Sequence, residues 1–119
     1  MSTPDAIAIH PNGFVEELTR APGEDWYTFL RRAIEVENIE VAWLPGDLAL
    51  VLDEDGPMRG AEGNSLLTQV ATMIAGRRAV PLVGRGVFVG TFRASFTSLP
   101  EGGLRRLREV VGDIKGGPH

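Results

Sequence analysis

The segment from residue 39 to residue 52, IEVAWLPGDLALVL, is the stretch that decides the fold. Residues 39–44 alternate as a half-buried β-strand does, with side chains pointing to opposite faces in turn. Residues 45–47 (PGD) favour a tight turn, because Pro presets φ and Gly accepts a positive φ. Residues 48–52 are apolar at every position, which is typical of a strand buried on both faces. The stretch therefore predicts an antiparallel hairpin whose second strand lies inside a sheet.

The rest of the chain alternates further strand patterns with helix patterns. Short β-branched or apolar runs bounded by Gly or Pro predict strands, whereas apolar residues spaced three and four positions apart predict helices. The predicted strands are residues 6–10, 14–18, 39–44, 48–52, 79–83 and 86–92. The predicted helices are residues 24–36, 65–75 and 100–115. Asn64 or Ser65 is the expected N-cap of the second helix.

The order of these elements, β-β-α-β-β-α-β-β-α, predicts an α+β fold. We expect a mostly antiparallel sheet of five to six strands with two or three packed helices. The length of 119 residues fits a single domain over residues 1–119. The helix at 100–115 is either part of this domain or an appended helix for docking or dimerisation.

The residue types of the chain exclude several kinds of chemistry. There is no Cys, which removes disulfides, thiolate metal sites and cysteine nucleophiles. The two His residues are His10 and the last residue, His119, so a Ser-His-Asp triad or a zinc site would depend on His10 alone. We therefore expect no catalytic residues, no metal and no cofactor.

The overall charge and hydropathy limit the partners of the protein. A formal net charge of −4 disfavours binding to duplex DNA, where neutralisation of phosphates dominates affinity. No apolar run approaches the roughly 20 residues that a bilayer helix needs. The first residues also lack the basic and apolar parts of a secretory signal. We expect a cytoplasmic protein that does not associate with membranes.

The charges are segregated along the sequence. Residues 1–58 contain 12 acids and 3 Arg, a balance of −9, whereas residues 59–119 contain 9 bases and 4 acids, a balance of +5. The two halves attract each other either within the fold or across a dimer. Two further features offer a self-complementary surface: the uncharged helix at 65–75 and the apolar stripe of the terminal helix. We expect a homodimer or a higher homo-oligomer.

A weak anion site is predicted at the entry to the second helix. Glycines and the first turn of a helix present backbone N–H groups to an anion, and two arginines supply charge and bidentate geometry. The predicted ligand-binding residues are Arg59, Gly60, Gly63, Asn64, Ser65 and Arg85. Neither the Walker pattern nor the dinucleotide fingerprint is present. Two interpretations of the uncharged face of the helix stay open: it is covered by a ligand, a partner subunit or another layer of the fold, or it is simply exposed, since Thr and Gln are well solvated.

Several short motifs resemble a known family. They are IHPNG at residues 9–13, the hairpin at 39–56, NSLL at 64–67 and the strand at 83–90. They resemble small uncharacterised proteins of actinobacteria and their phages that carry a domain of unknown function, and the likeness covers about residues 6–92. The resemblance implies a phage or mobile-element setting, the host cytoplasm as location, and action against host defence.

Three functions follow as hypotheses. The first is a non-enzymatic binding protein that sequesters a small phosphate-bearing molecule, such as a host nucleotide immune signal, at residues 59–65 with Arg85. The second is an acidic protein-binding inhibitor or DNA mimic that uses the acids between Glu16 and Asp55. The third is a small hydrolase, for which Ser65 offers no Gly-x-Ser-x-Gly frame.

Overall fold

The hairpin predicted at residues 39–52 supplies two strands of a six-stranded antiparallel sheet. The computed structural model describes residues 3–116. The strands are β1 (Ala6–Ile9), β2 (Val15–Leu18), β3 (Ile39–Leu44), β4 (Leu48–Asp53), β5 (Gly86–Phe92) and β6 (Ser95–Thr97). The helices are α1 (Trp26–Ile34), α2 (Gly56–Arg59), α3 (Ser65–Ala75) and α4 (Glu101–Gly116). This architecture confirms the predicted α+β fold class.

The strand order places β4 inside the sheet, as its uninterrupted apolar run predicts. The order is β2-β1-β5-β4-β3, and β6 pairs with the far end of β5. β4 pairs with β3 through Val41 opposite Val51 and with β5 through Val51 opposite Val87. β2 and β3 are therefore the outer strands of the sheet.

Both faces of the sheet are covered by helices, which gives three layers. On one face, called here the α1 face, small and β-branched side chains of the sheet pack against α1 residues Phe29, Leu30 and Ile34. On the opposite face, called the α3/α4 face, Ile9, Leu50 and Phe88 are among the sheet residues that pack against α3 and α4. The alternation of side chains along each strand separates the two clusters.

The strand predicted at residues 79–83 is wrong. This segment follows α3 instead and forms one isolated bridge, between Val83 and Gly63, while Ala79 and Leu82 pack against the cluster of the α3/α4 face. Its amides are bonded to α3 hydroxyls: Ala79 N donates to Thr72 Oγ1 at 3.0 Å and Leu82 N to Thr68 Oγ1 at 2.9 Å. Hydroxyl acceptors on α3 therefore take the place of a neighbouring strand. The uncharged face of α3 is thus covered in part by another layer of the same chain.

The sixth strand is β6, which the sequence does not predict. It follows β5 after a two-residue turn in which Arg93 and Ala94 have φ of 50° and 63°. Turns with two left-handed residues usually contain Asn or Gly, so neither residue signals the turn. Three residues of strand are also too few to show a period.

The terminal helix α4 packs on the sheet of its own chain. Leu104, Leu107 and Val110 are buried in the cluster of the α3/α4 face. Its exposed side is linked to the outer strand β2 by a bidentate ion pair between Arg108 and Glu17, with both N–O distances 2.8 Å. The apolar stripe of α4 is therefore used within the fold.

The Glu17–Arg108 pair predicts a small stability change in acid. The hydrogen bond from Arg108 lowers the pKa of Glu17 below its ordinary value of 4.5. Because the folded pKa lies below the unfolded one, the pair stabilises the fold above pH 4.5, and this contribution is lost as the pH falls through the folded pKa. Chemical unfolding of Glu17→Gln and of the unchanged protein should differ near neutral pH and converge in acid. A difference that stays constant down to pH 3 contradicts this prediction.

Candidate functional site

Asn64, the first predicted site residue, holds the fold together at the entry to α3. Its side chain is 1 % exposed. Its Oδ1 accepts from Leu67 N at 3.0 Å, which confirms it as the N-cap of α3. Its Nδ2 donates to Ile9 O at 3.0 Å and to Gly84 O at 2.8 Å. Both polar atoms of the Asn64 side chain, Oδ1 and Nδ2, are thus hydrogen-bonded to backbone groups.

Arg59, the second predicted site residue, is bound to a carboxylate of its own chain. Its guanidinium forms an ion pair with Asp53, whose side chain is 8 % exposed. The same carboxylate accepts from Asp55 N at 2.9 Å. The amides of Gly60 and Ala61 bond back to α2, so this turn is closed on itself. Asp53 neutralises the charge that the predicted anion site needs from Arg59.

Arg85 is directed to the other side of the sheet. Its Nη1 donates to Ala33 O at the end of α1 at 2.8 Å and lies 3.6 Å from a carboxylate oxygen of Glu35. α1 covers the face opposite to α3. The structure therefore does not bring the Arg85 side chain to the predicted helix entry.

The three remaining predicted residues, Gly60, Gly63 and Ser65, are exposed around Asn64. The Ser65 hydroxyl accepts a hydrogen bond from Gln69 Nε2 at 3.2 Å. The phosphate site at residues 59–65 stays a prediction, without the side-chain charges of Arg59 and Arg85 that motivated it.

A different surface on the α1 face combines two exposed aromatic side chains with a half-buried one. Tyr27 from α1, Trp43 from β3 and Phe96 from β6 form it, and we call these three residues the aromatic surface. The rings of Tyr27 and Phe96 have centroids 5.2 Å apart at 69°, and those of Trp43 and Phe96 are 6.2 Å apart at 10°. Tyr27 is 50 % exposed and Trp43 is 56 % exposed.

The sheet positions two of these rings, the exposed Trp43 and the half-buried Phe96. Trp43 lies opposite Ala49, and Phe96 lies opposite Thr91. Because β4 and β5 separate β3 from β6, the two rings lean toward each other over the sheet, where the small Ala49 leaves room. α1 covers the strands further along and adds Tyr27 at its first turn. The three rings hold one another in place.

Two exposed acidic residues are linked to the aromatic surface, one along the chain and one through a backbone hydrogen bond. Asp25 caps α1 two residues before Tyr27, and its carboxylate accepts from Thr28 N at 3.0 Å. Asp47 lies in the turn between β3 and β4, and its carbonyl accepts from Thr91 N at 2.9 Å, next to Phe96. Both acids are exposed. Asp25 is therefore close to Tyr27 along the chain, and the backbone of Asp47 is bonded to the residue that pairs with Phe96.

Sequence reasoning missed the aromatic surface because three separate elements build it. Tyr27 lies outside the buried stripe of α1, and Trp43 lies in a strand whose outer position in the sheet was not known. Neither position signals the surface on its own, because exposed apolar residues are common and only a contiguous patch of them is informative.

The two carboxylates with a shifted pKa, Glu17 and Glu24, belong to ion pairs outside the aromatic surface. Hydrogen bonds from Arg32 lower the pKa of Glu24, and those from Arg108 lower the pKa of Glu17. Both shifts keep the carboxylate charged, so neither favours a role as general acid.

Comparison of the chain with protein-family models, curated proteins and solved structures gives no match. The resemblance to the actinobacterial and phage family therefore stays a prediction. Within residues 3–116, no helix combines the length and the hydropathy needed to cross a bilayer.

Proposed function

We propose that this protein is a non-enzymatic binding protein that recognises a segment of another protein on the aromatic surface. The observation that carries the proposal is that the exposed rings of Tyr27 and Trp43 both contact the half-buried ring of Phe96. Trp and Tyr are the residues most enriched at the energetic centres of protein interfaces. The surface offers both.

The arrangement of the rings favours binding energetically. A Trp or Tyr side chain provides a large contact area for few rotatable bonds. Here Phe96 contacts both Tyr27 and Trp43, so each ring is already restrained before a partner arrives. Restraint in the free protein lowers the entropy that association costs.

The charge around the aromatic surface indicates the chemistry of the partner. Asp25 lies two residues before Tyr27, and Asp47 is bonded through its backbone to Thr91 opposite Phe96. Residues 1–58, which supply Tyr27 and Trp43, have a balance of −9. A partner segment with an apolar or aromatic anchor flanked by Lys or Arg complements this surface. A phosphate group would meet negative charge at the same place.

This proposal keeps the protein-binding role of the second sequence hypothesis. It places the binding surface around Trp43, whereas the sequence hypothesis placed it on the acids between Glu16 and Asp55. The sequestration of a phosphate-bearing ligand at 59–65 and the small hydrolase remain untested predictions. Action against host defence rests on the family resemblance alone.

Selection from a display library of random peptides tests the proposed function. We expect the enriched peptides to contain an aromatic or aliphatic anchor next to basic residues. Trp43→Ser should weaken binding of an enriched peptide at least about tenfold, because loss of an interface Trp typically costs more than 1.4 kcal/mol.

Phe14→Ser is the matched control, since Phe14 is 55 % exposed but lies on the turn between β1 and β2. It should leave peptide binding unchanged. Equal loss in both variants, or enrichment of acidic peptides, contradicts the proposed function.

A further inference from the structure

The outer strand β3 has an open row of backbone hydrogen-bonding groups. Within residues 3–116, its one strand neighbour is β4. Glu54 N donates to Asn38 O at 3.0 Å, in register with the ladder between β3 and β4. Because bonded and non-bonded pairs alternate in an antiparallel ladder, the N–H and C=O groups of Ile39, Val41 and Trp43 point away from β4.

The two edges of the sheet differ in their protection against further pairing. β2 has four residues, two of them charged, and its Glu17 is bound by Arg108 of α4. β3 has six residues with one charge, Glu40, and contains no Pro and no basic residue. Charges, Pro and short length are the usual means of blocking an edge. The composition of β3 therefore leaves its free edge open to pairing with a further strand.

We infer that β3 pairs antiparallel with β3 of a second copy of this chain, around a two-fold axis at Val41. In this register, Val41 lies opposite Val41 of the second copy, and Ile39 lies opposite its Trp43. Every outward N–H and C=O then meets a partner, which gives six hydrogen bonds by the alternation rule. The sheet continues without interruption through both copies.

The two neighbouring registers of the β3–β3 pair are less favourable. An axis at Ala42 places Ile39 opposite Pro45, which has no N–H to donate. An axis at Glu40 places two carboxylates directly opposite each other, which is destabilising. The register at Val41 avoids both problems.

Charge complementarity supports the same register on the α3/α4 face. Glu40 lies beside Glu54 in its own chain, where both line one cavity. The axis at Val41 moves Glu40 of the second copy opposite Ala42, which lines a different cavity together with Arg77 and Arg78. Neither arginine forms an ion pair within the part of the chain that the structure describes. The acidic end of one β3 thus meets the basic end of the other.

This dimer goes beyond the proposed function and leaves the aromatic surface open. The Trp43 ring leans over β4 toward Phe96, away from the free edge of β3. A two-fold axis perpendicular to the sheet keeps the α1 faces of both copies on the same side. The dimer therefore presents two aromatic surfaces to one partner or to two.

Sedimentation of three variants tests the dimer. The unchanged protein should reach twice the 12.9 kDa chain mass in the micromolar range. Val41→Pro should sediment as a folded monomer, because the lost N–H points away from β4 and Pro is tolerated in outer strands. Glu40→Arg should weaken the dimer at least about tenfold. Adding Arg77→Glu and Arg78→Glu to it should restore association.

Hydrogen exchange supplies a second measurement that does not depend on variants. The amides of Ile39, Val41 and Trp43 should be protected at high protein concentration and exchange rapidly after dilution. A monomer at high micromolar concentration, or a dimer that persists in folded Val41→Pro, overturns the proposal. Failure of the charge swap to restore the dimer overturns the register. Tyr27→Ser, which lies outside β3, should abolish peptide binding and leave the dimer intact, so the two proposals fail separately.

Discussion

Replacing Asn64 with alanine should destabilise the fold by about 3–5 kcal/mol, the largest effect expected of a single polar substitution here. The change leaves the carbonyls of Ile9 and Gly84 without their donor in a buried place. It also removes the side-chain cap from Leu67 N, which by itself costs about 1 kcal/mol. The substitution thus removes the side chain that joins β1, the segment before β5 and α3.

Denaturant unfolding with linear extrapolation measures this effect. Asn12→Ala is the matched control, because Asn12 makes one exposed hydrogen bond to Phe14 N at 2.9 Å and should cost at most about 1 kcal/mol. Asn64→Asp keeps the cap acceptor and loses both donated bonds, so it should be nearly as unstable as Asn64→Ala. A loss below about 1 kcal/mol for Asn64→Ala contradicts the structural role given to this residue.

Replacing Gly90 with alanine should cost about 3 kcal/mol or more, through overpacking against backbone. A Cβ at this position would lie against the carbonyl oxygen of Ser98, closer than real Cβ atoms come, and 3.0 Å from Pro100 Cδ. Backbone atoms cannot rotate aside as the end of a side chain can. The chain from β6 into α4 would have to move, which disturbs the burial of Leu104.

Gly112→Ala is the control for this prediction, because a Cβ there meets nothing within 4 Å. It lies inside α4, where Ala is favoured over Gly by about 1 kcal/mol, so it should raise the melting temperature. Gly90→Ala should lower it by several degrees. A Gly90→Ala protein as stable as the unchanged one contradicts the close approach of Ser98 to β5.

The parts of the fold that local pattern specifies were predictable from the sequence. The apolar run of β4, the stripe of α1 and the cap and stop of α3 at Asn64 and Gly76 each lie within a few consecutive residues. The segment at 79–83 was predicted wrongly because its β-branched residues suit a strand. Its amides are bonded to Thr68 and Thr72 instead, a competition that sequence spacing does not reveal.

The candidate site was less predictable, since its contacts join distant parts of the chain. Asn64 was expected near a ligand, but its donors bind Ile9, 55 residues away, and Gly84, 20 residues away. Arg85 was expected beside it, whereas its guanidinium donates to Ala33 O at the end of α1, 52 residues away. The aromatic surface requires the strand order, which no single segment of the sequence contains.

The most direct test of the account is a nuclear magnetic resonance titration of the labelled protein with the most enriched peptide. The two tryptophans provide an internal comparison, because Trp26 is half-buried beneath Arg20, 4.6 Å from its ring, whereas Trp43 is exposed. We expect the Trp43 indole signal and the amides of Tyr27 and Phe96 to shift, while the Trp26 indole signal stays unchanged. Shifts centred on residues 59–65, with the Trp43 indole unchanged, would contradict this expectation.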